Sequence, residues 1–232
     1  MTLRIHETIK RYVDILVRSE DTYLFILSSP AGLGKTTTVL GRLKSLGLED
    51  NKNYIYVNGH MTPLRLFDFL RASNVLDDPK IIVFDDVDAL LANKTSLAIM
   101  KAALSTSVNG KRIVSYESST GANAGSFEIK TKVILITNNL SQNKALKPLT
   151  DRGIVYDLEA SPEELAEYIE RNLESFGGKL EIEEKVKVWE KVHRFIDVPG
   201  FSLRALDRAM AFRKTDKENW YELFVRTLKK NK

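Results

Sequence analysis

Residues 23–39 read YLFILSSPAGLGKTTTV, and this stretch constrains the fold more than any other. The apolar run Tyr23 to Leu27 predicts a short buried strand, and Thr37 to Leu46 predicts an amphipathic helix that stops at Gly47. Between them the chain turns through Gly32 and Gly34, where a backbone can bend sharply and approach a ligand closely. Amides in such a turn and at the start of the helix face an anion, with the positive end of the helix dipole behind them. A phosphate chain suits that arrangement. Lys35 then reaches the β and γ phosphates and the Thr36 hydroxyl ligates Mg²⁺, with Pro30, Ala31, Gly32, Leu33, Gly34 and Thr37 completing the binding segment. The usual pattern is G-x-x-x-x-G-K-[ST]; Ser29 stands at its first position, and the added Cβ predicts weaker nucleotide binding.

The remaining composition narrows the class. At 232 residues the chain suits one large domain or a core with a small second domain, and its 43% hydrophobic and 28% charged residues are ordinary for a globular protein. A net charge of +4 permits contact with nucleic acid without demonstrating it. With no cysteine there is no disulfide framework and no zinc–thiolate site, and His6, His60 and His193 have no metal-ligand spacing. No apolar run reaches the ~18 residues of a membrane span, and the charged N-terminus lacks a signal-peptide core, so an intracellular, cytoplasmic protein with no membrane partner is expected.

After the first helix, expected over residues 2–19, strands alternate with helices. A second strand is predicted at Tyr54 to Asn58, and Thr62-Pro63 reads as the N-cap of a helix. Lys80 to Asp88 (KIIVFDDVD) reads as a central parallel strand, buried on both faces and ending in Asp85, Asp86 and Asp88. A carboxylate at that end can hold the Mg²⁺ shell opposite Lys35 and Thr36. A helix over 95–106 precedes short alternating runs at Lys111 to Glu117 and Phe127 to Lys130, which flank a Gly/Ser/Asn-rich turn and predict a β-hairpin. Lys132 to Asn139 is a further buried strand with a polar end; a loop carrying Arg152 and a last short strand at Ile154 to Leu158 follow. From Ser161 the pattern is helical, opening on the capping box Ser161-Pro-Glu-Glu164.

In this order the motifs resemble those of the AAA+ ATPases, over nearly the whole chain. The resemblance implies a three-layer αβα P-loop NTPase core with a parallel sheet in residues 1–160 and a small all-α lid in 161–232. Residues 29–36 are similar to the Walker A loop and Ile81 to Asp88 to the Walker B strand, with Asp85 as the Mg²⁺ carboxylate. Asp86 stands where the family usually has a water-polarising glutamate, and the missing methylene implies slow hydrolysis. Asn138 corresponds to sensor 1, with Asn139 as the fallback. Arg152 corresponds to the arginine finger that completes a neighbouring subunit's site, and Arg204 to sensor 2, with Arg208 one turn on as its competitor.

The resemblance further implies ATP and Mg²⁺ as ligands and a ring or helical homo-oligomer, a hexamer among the options. The connection Gly59-His-Met-Thr62 lacks the aromatic loop of protein-threading unfoldases. Lys111, Arg112, Tyr116 and Lys130 give the hairpin the basic and aromatic character expected for touching phosphates and bases. The compact build resembles minimal viral, plasmid or mobile-element replication ATPases, which implies action on DNA in replication initiation or helicase loading, with a helicase or initiator partner. Two other readings stay open: an ATP-switched binding module with little turnover, and a protein remodeller.

Overall fold

In a computed structural model of the chain, residues 6–86, 88–105, 109–117, 125–138, 140 and 146–229 are described, with the backbone alone at Asp88 and Ala89. In chain order the elements are α1 (Glu7–Arg18), β1 (Leu24–Ser28), α2 (Lys35–Ser45), β2 (Tyr54–Asn58), α3 (Pro63–Ala72), β3 (Ile81–Asp85), α4 (Asp88–Ala92), α5 (Lys94–Ala103), β4 (Ile113–Tyr116), β5 (Gly125–Glu128), β6 (Lys132–Thr137), α6 (Lys147–Thr150) and β7 (Ile154–Asp157). The helices α7 (Pro162–Arg171), α8 (Ile182–Val192), α9 (Leu203–Thr215) and α10 (Trp220–Lys229) complete it. The chain divides into two compact units: one of Thr8–Ser29 and Lys35–Leu158, the other of residues 6–7, Pro30–Gly34 and 159–229. The glycine turn and the start of α1 group with the helical unit.

The first unit is built on a five-stranded parallel sheet in the order β2-β3-β6-β1-β7. β1 and β3 are buried at every position, as continuous apolar strands in the middle of a parallel sheet must be. Alternate residues of β1 serve opposite faces. Leu24 and Ile26 join a cluster with Leu66, Phe67 and Leu70 of α3 and Ile99 and Met100 of α5. On the other face Phe25 meets Tyr12 of α1, ring centroids 5.6 Å apart, and Tyr12 also reaches Tyr156 of β7 at 5.5 Å. Helices therefore cover both sides of the sheet. Arg42 of α2 grips Asp14 of α1 through both carboxylate oxygens, at 2.7 and 2.6 Å.

The predicted hairpin is present as the antiparallel pair β4–β5. One of its faces is not free. Val114 and Ile129 are core residues, and Tyr116 and Phe127 pack on the Phe67 ring at 5.5 and 5.2 Å. Thr62 caps α3 with Pro63 in its first turn, as the sequence predicts. The segment read as a loop at 146–153 contains the short helix α6.

The helical unit has its own core, with Leu165, Ile169, Val188, Val192, Leu206, Ala209, Met210, Trp220 and Phe224 all buried. α7 opens on the predicted capping box: Ser161 Oγ accepts from the Glu164 amide while the Glu164 carboxylate accepts from the Ser161 amide. Glu184 of α8 binds Arg213 of α9 at 2.6 Å.

Candidate active site

Parallel pairing fixes the polar strand ends side by side. Ser28 of β1 registers with Thr137 of β6, and Asn58 of β2 registers with Asp85 of β3. This is the carboxyl edge of the sheet, where open α/β sheets hold ligands. Lys35, the first residue of α2, is only 6% exposed. Its ammonium donates to the Ser29 carbonyl at 2.7 Å, to Ser29 Oγ at 3.0 Å and to Asn138 Oδ1 at 3.1 Å. Ser29 is not among the residues with positive φ, so this position does not need glycine's conformational range. The serine that departs from the usual pattern supplies a hydroxyl to the lysine instead.

Asp85 is 8% exposed and accepts three hydrogen bonds. Its Oδ2 accepts from Thr36 Oγ1 at 2.7 Å and from the Tyr56 hydroxyl at 2.9 Å, and its Oδ1 accepts from the Asp86 amide at 3.1 Å. Burial pushes the Tyr56 phenol above its ordinary value of 10.0, and its bond to the Asp85 carboxylate adds to the rise. Asp86 is exposed and left-handed, φ 53°, a region that Asp tolerates better than most side chains. Its Oδ1 accepts from Asn138 Nδ2 at 2.9 Å. Asn138 therefore touches the lysine with one end of its amide and Asp86 with the other. Asn139 and the Asp88 side chain lie outside the described residues.

Thr36 and Asp85 bring a hydroxyl and a carboxylate oxygen within 2.7 Å, a pair of hard donors of the kind Mg²⁺ takes. Among the described residues no group of three or more His, Cys, Asp or Glu could hold a metal. Two protein oxygens suit an ion that keeps most of its waters and takes the rest of its shell from phosphates.

The helical unit contains the glycine turn and α9. Gly32 and Gly34 are left-handed, φ 85° and 74°, and a β-carbon at Gly32 would stand 2.7 Å from Ser202 Cβ. The Gly32 carbonyl accepts from the Leu203 amide at 3.0 Å, so the turn is fastened to the start of α9. Arg204, the second residue of α9, is exposed, and its Cγ would lie 3.7 Å from that β-carbon; Arg208 is also exposed. His6 bonds the Leu33 carbonyl at 2.6 Å and meets the Tyr168 ring edge-on at 4.2 Å. Leu33 is buried, while Pro30, Ala31 and Thr37 are exposed.

The other arginines separate. Arg152 is exposed and donates to the carbonyls of Pro148 and Lys101 at 3.1 and 3.0 Å. Arg112 corrects an expectation. It is 4% exposed, donates to the carbonyls of Ala103 and Thr131 at 3.1 and 2.9 Å, and lies 3.8 Å from the centre of the Tyr23 ring. Burial pulls it from 12.5 down to about 10. It ties the end of α5 to the hairpin and cannot touch a DNA phosphate from there. Tyr116 is turned onto Phe67, while Lys111, paired with Glu128 at 3.5 Å, and Lys130 are exposed.

Sequence reasoning missed Tyr56 and the hydroxyl of Ser29 as members of this site. The signal for Tyr56 was a polar tip on a strand adjacent to β3, and it needs the β2–β3 register to be read.

No family profile matches the sequence, and a search of curated proteins finds no match. Among solved structures the chain is similar to the Thermotoga maritima RuvB Holliday junction branch migration motor, with a TM-score of 0.55 at 16% identity over 96% of this chain and 68% of that one. At that identity the likeness speaks for the fold. With the five-stranded parallel sheet, its flanking helices and the C-terminal helices, it gives this chain the AAA+ form of the P-loop NTPase fold: an αβα core followed by an all-α lid.

Proposed function

We propose that this protein is a Mg²⁺-dependent ATPase that works as a homo-oligomer on DNA. The observation that carries the reading is the Asn138 amide joining Lys35 to Asp86, beside the Thr36–Asp85 pair. Phosphoryl transfer needs positive charge around the equatorial oxygens and a placed nucleophile, and little else from the protein. Lys35 brings the charge; Thr36 and Asp85 would hold Mg²⁺, which when bound would offset negative charge on the phosphates. Asp86 and Asn138 orient water, with the carboxylate accepting its proton. Arg204 acts as sensor 2 from the lid, and Arg152 completes the site of the adjoining subunit. The DNA part is supported by the AAA+ fold shared with a branch migration motor and by the exposed Lys111 and Lys130. Replication initiation or helicase loading, with a helicase or initiator as partner, is the form we propose for that activity.

One observation favours a second reading, an ATP-switched binding module. Asp86 carries a carboxylate one methylene short and is held to Asn138, which favours slow turnover. Phosphate release measured alone, with single-stranded DNA and with double-stranded DNA, across protein concentrations, separates the two. A rate that rises with DNA and with protein concentration supports the motor. Background turnover with intact ATP binding supports the switch, and DNA-independent turnover stimulated by a polypeptide overturns the DNA assignment.

A further inference from the structure

We infer that Tyr56 is the positioning residue of the metal-binding carboxylate and thereby sets the affinity of the site for Mg²⁺; this rests on the reading of Thr36 and Asp85 as the Mg²⁺ pair. Tyr56 registers with Val83, while Asp85 stands opposite Asn58. The tyrosine hydroxyl therefore spans a step of about 6.6 Å along the strands to reach Asp85. A long, rigid side chain with a polar tip suits that reach, and Tyr56 closes it at 2.9 Å.

The ionised carboxylate can only accept, so Tyr56 donates, and Asn58 supports that orientation of the phenol. Asn58 Nδ2 donates to the Tyr56 oxygen at 3.3 Å, which engages a lone pair of the phenol and leaves its single proton for Asp85. Asn58 and Tyr56 lie two residues apart on one strand and so share a face. Of the donors on Asp85, Thr36 is itself a proposed metal ligand and the Asp86 amide is held by the backbone. Tyr56 is the side-chain donor on Asp85 that is not itself a proposed metal ligand. Such outer partners of metal ligands hold the ligand's orientation, and losing one typically weakens metal binding 10- to 100-fold.

The test uses the full chain with ADP and Mn²⁺ in place of Mg²⁺, reading free Mn²⁺ by electron paramagnetic resonance. Nucleotide binding in EDTA and thermal melting of the metal-free protein are measured alongside. Tyr56→Phe keeps the ring and its packing and removes only the hydroxyl. The expected result is a roughly 10-fold or greater loss of Mn²⁺ affinity, with EDTA nucleotide binding and melting unchanged. Asn58→Ala, which frees the phenol to turn, gives a smaller loss in the same direction. Unchanged Mn²⁺ affinity in Tyr56→Phe overturns the role of Tyr56. An equal loss of metal-free nucleotide binding also overturns it, since that marks a merely structural tyrosine. If wild-type protein binds no Mn²⁺ with ADP, the reading of the site fails and the role of Tyr56 falls with it.

Discussion

The Lys35 ammonium and the Asp86 carboxylate are joined through one amide, that of Asn138, at 3.1 Å on the lysine side and 2.9 Å on the carboxylate side. A phosphate oxygen arriving at Lys35 competes with Asn138 Oδ1 for the same protons. On the proposed reading the amide would thus feel the presence of nucleotide, and it touches the group proposed to orient water. Asn138→Ala is expected to lower ATP turnover about 10²-fold while changing nucleotide affinity far less. Steady-state kinetics with a direct binding titration checks this; equal losses in both would assign Asn138 to binding alone.

The left-handed backbone at Asp86 separates chemistry from conformation. Asp86→Asn keeps a side chain that tolerates φ 53° and removes the proton acceptor. Turnover should fall at least 10²-fold with the denaturation midpoint unchanged. Asp86→Glu lengthens the carboxylate in a region glutamate populates poorly, at a cost of about 1 kcal/mol or more. Urea unfolding of both variants reads the difference.

Arg112 and the exposed lysines answer different questions. Arg112→Met leaves the Ala103 and Thr131 carbonyls without their donor, and should destabilise the protein by about 2–5 kcal/mol. Lys111→Ala and Lys130→Ala should leave stability alone, weaken DNA binding and each reduce the salt slope by about 1. Binding titrations at several salt concentrations check this; an undiminished slope in both lysine variants removes the hairpin from the DNA surface.

Complementation tests the role of Arg152. Arg152→Ala and Lys35→Ala should each be nearly inactive, the first for want of a finger and the second for want of a phosphate ligand. Mixed, they create sites with an intact Lys35 from one subunit and an intact Arg152 from the other, and phosphate release should recover part of the wild-type rate. No recovery, with mixed oligomers confirmed by mass, assigns Arg152 to its own chain, where it already binds Pro148 and Lys101.

Acid should loosen the helical unit through Glu184. Hydrogen bonds from Lys187 and then Arg213 hold its carboxyl down from 4.5 to about 2. A depressed folded-state value means that the contribution is present above the unfolded value near 4.5, and is lost as pH falls towards 2. Glu184→Gln should flatten the pH dependence of melting across that window, with its deficit against the wild type largest and constant above it and shrinking as the pH falls. Thermal melts of both proteins from pH 2 to 7 read the slope.

Much of this protein is legible in the sequence because its signals are local. Tyr23 to Leu27 is apolar at every position, and Ser161-Pro-Glu-Glu164 carries both halves of its own cap, so strand and helix start need no distant partner. Lys35, Thr36 and Asp85 follow from a short motif and from the acid at the end of an apolar run. Arg112 was misread for the opposite reason. A basic residue beside a hairpin has the same local signature whether it meets water or the carbonyls of Ala103 and Thr131, and only packing distinguishes the two.

By itself, then, the sequence determined the alternating α/β order, the glycine turn with its lysine, and the helices that close the chain, because hydrophobic period, caps and turns act over a few residues. Tertiary structure alone decided that β1 lies between β6 and β7, that Asn138 spans Lys35 and Asp86, that Ser29 offers its hydroxyl to the lysine, and that Tyr56 reaches Asp85. Each of these joins residues on different elements, most of them far apart in the chain, and is set by the strand register and by the turn that brings Lys35 back to Ser29.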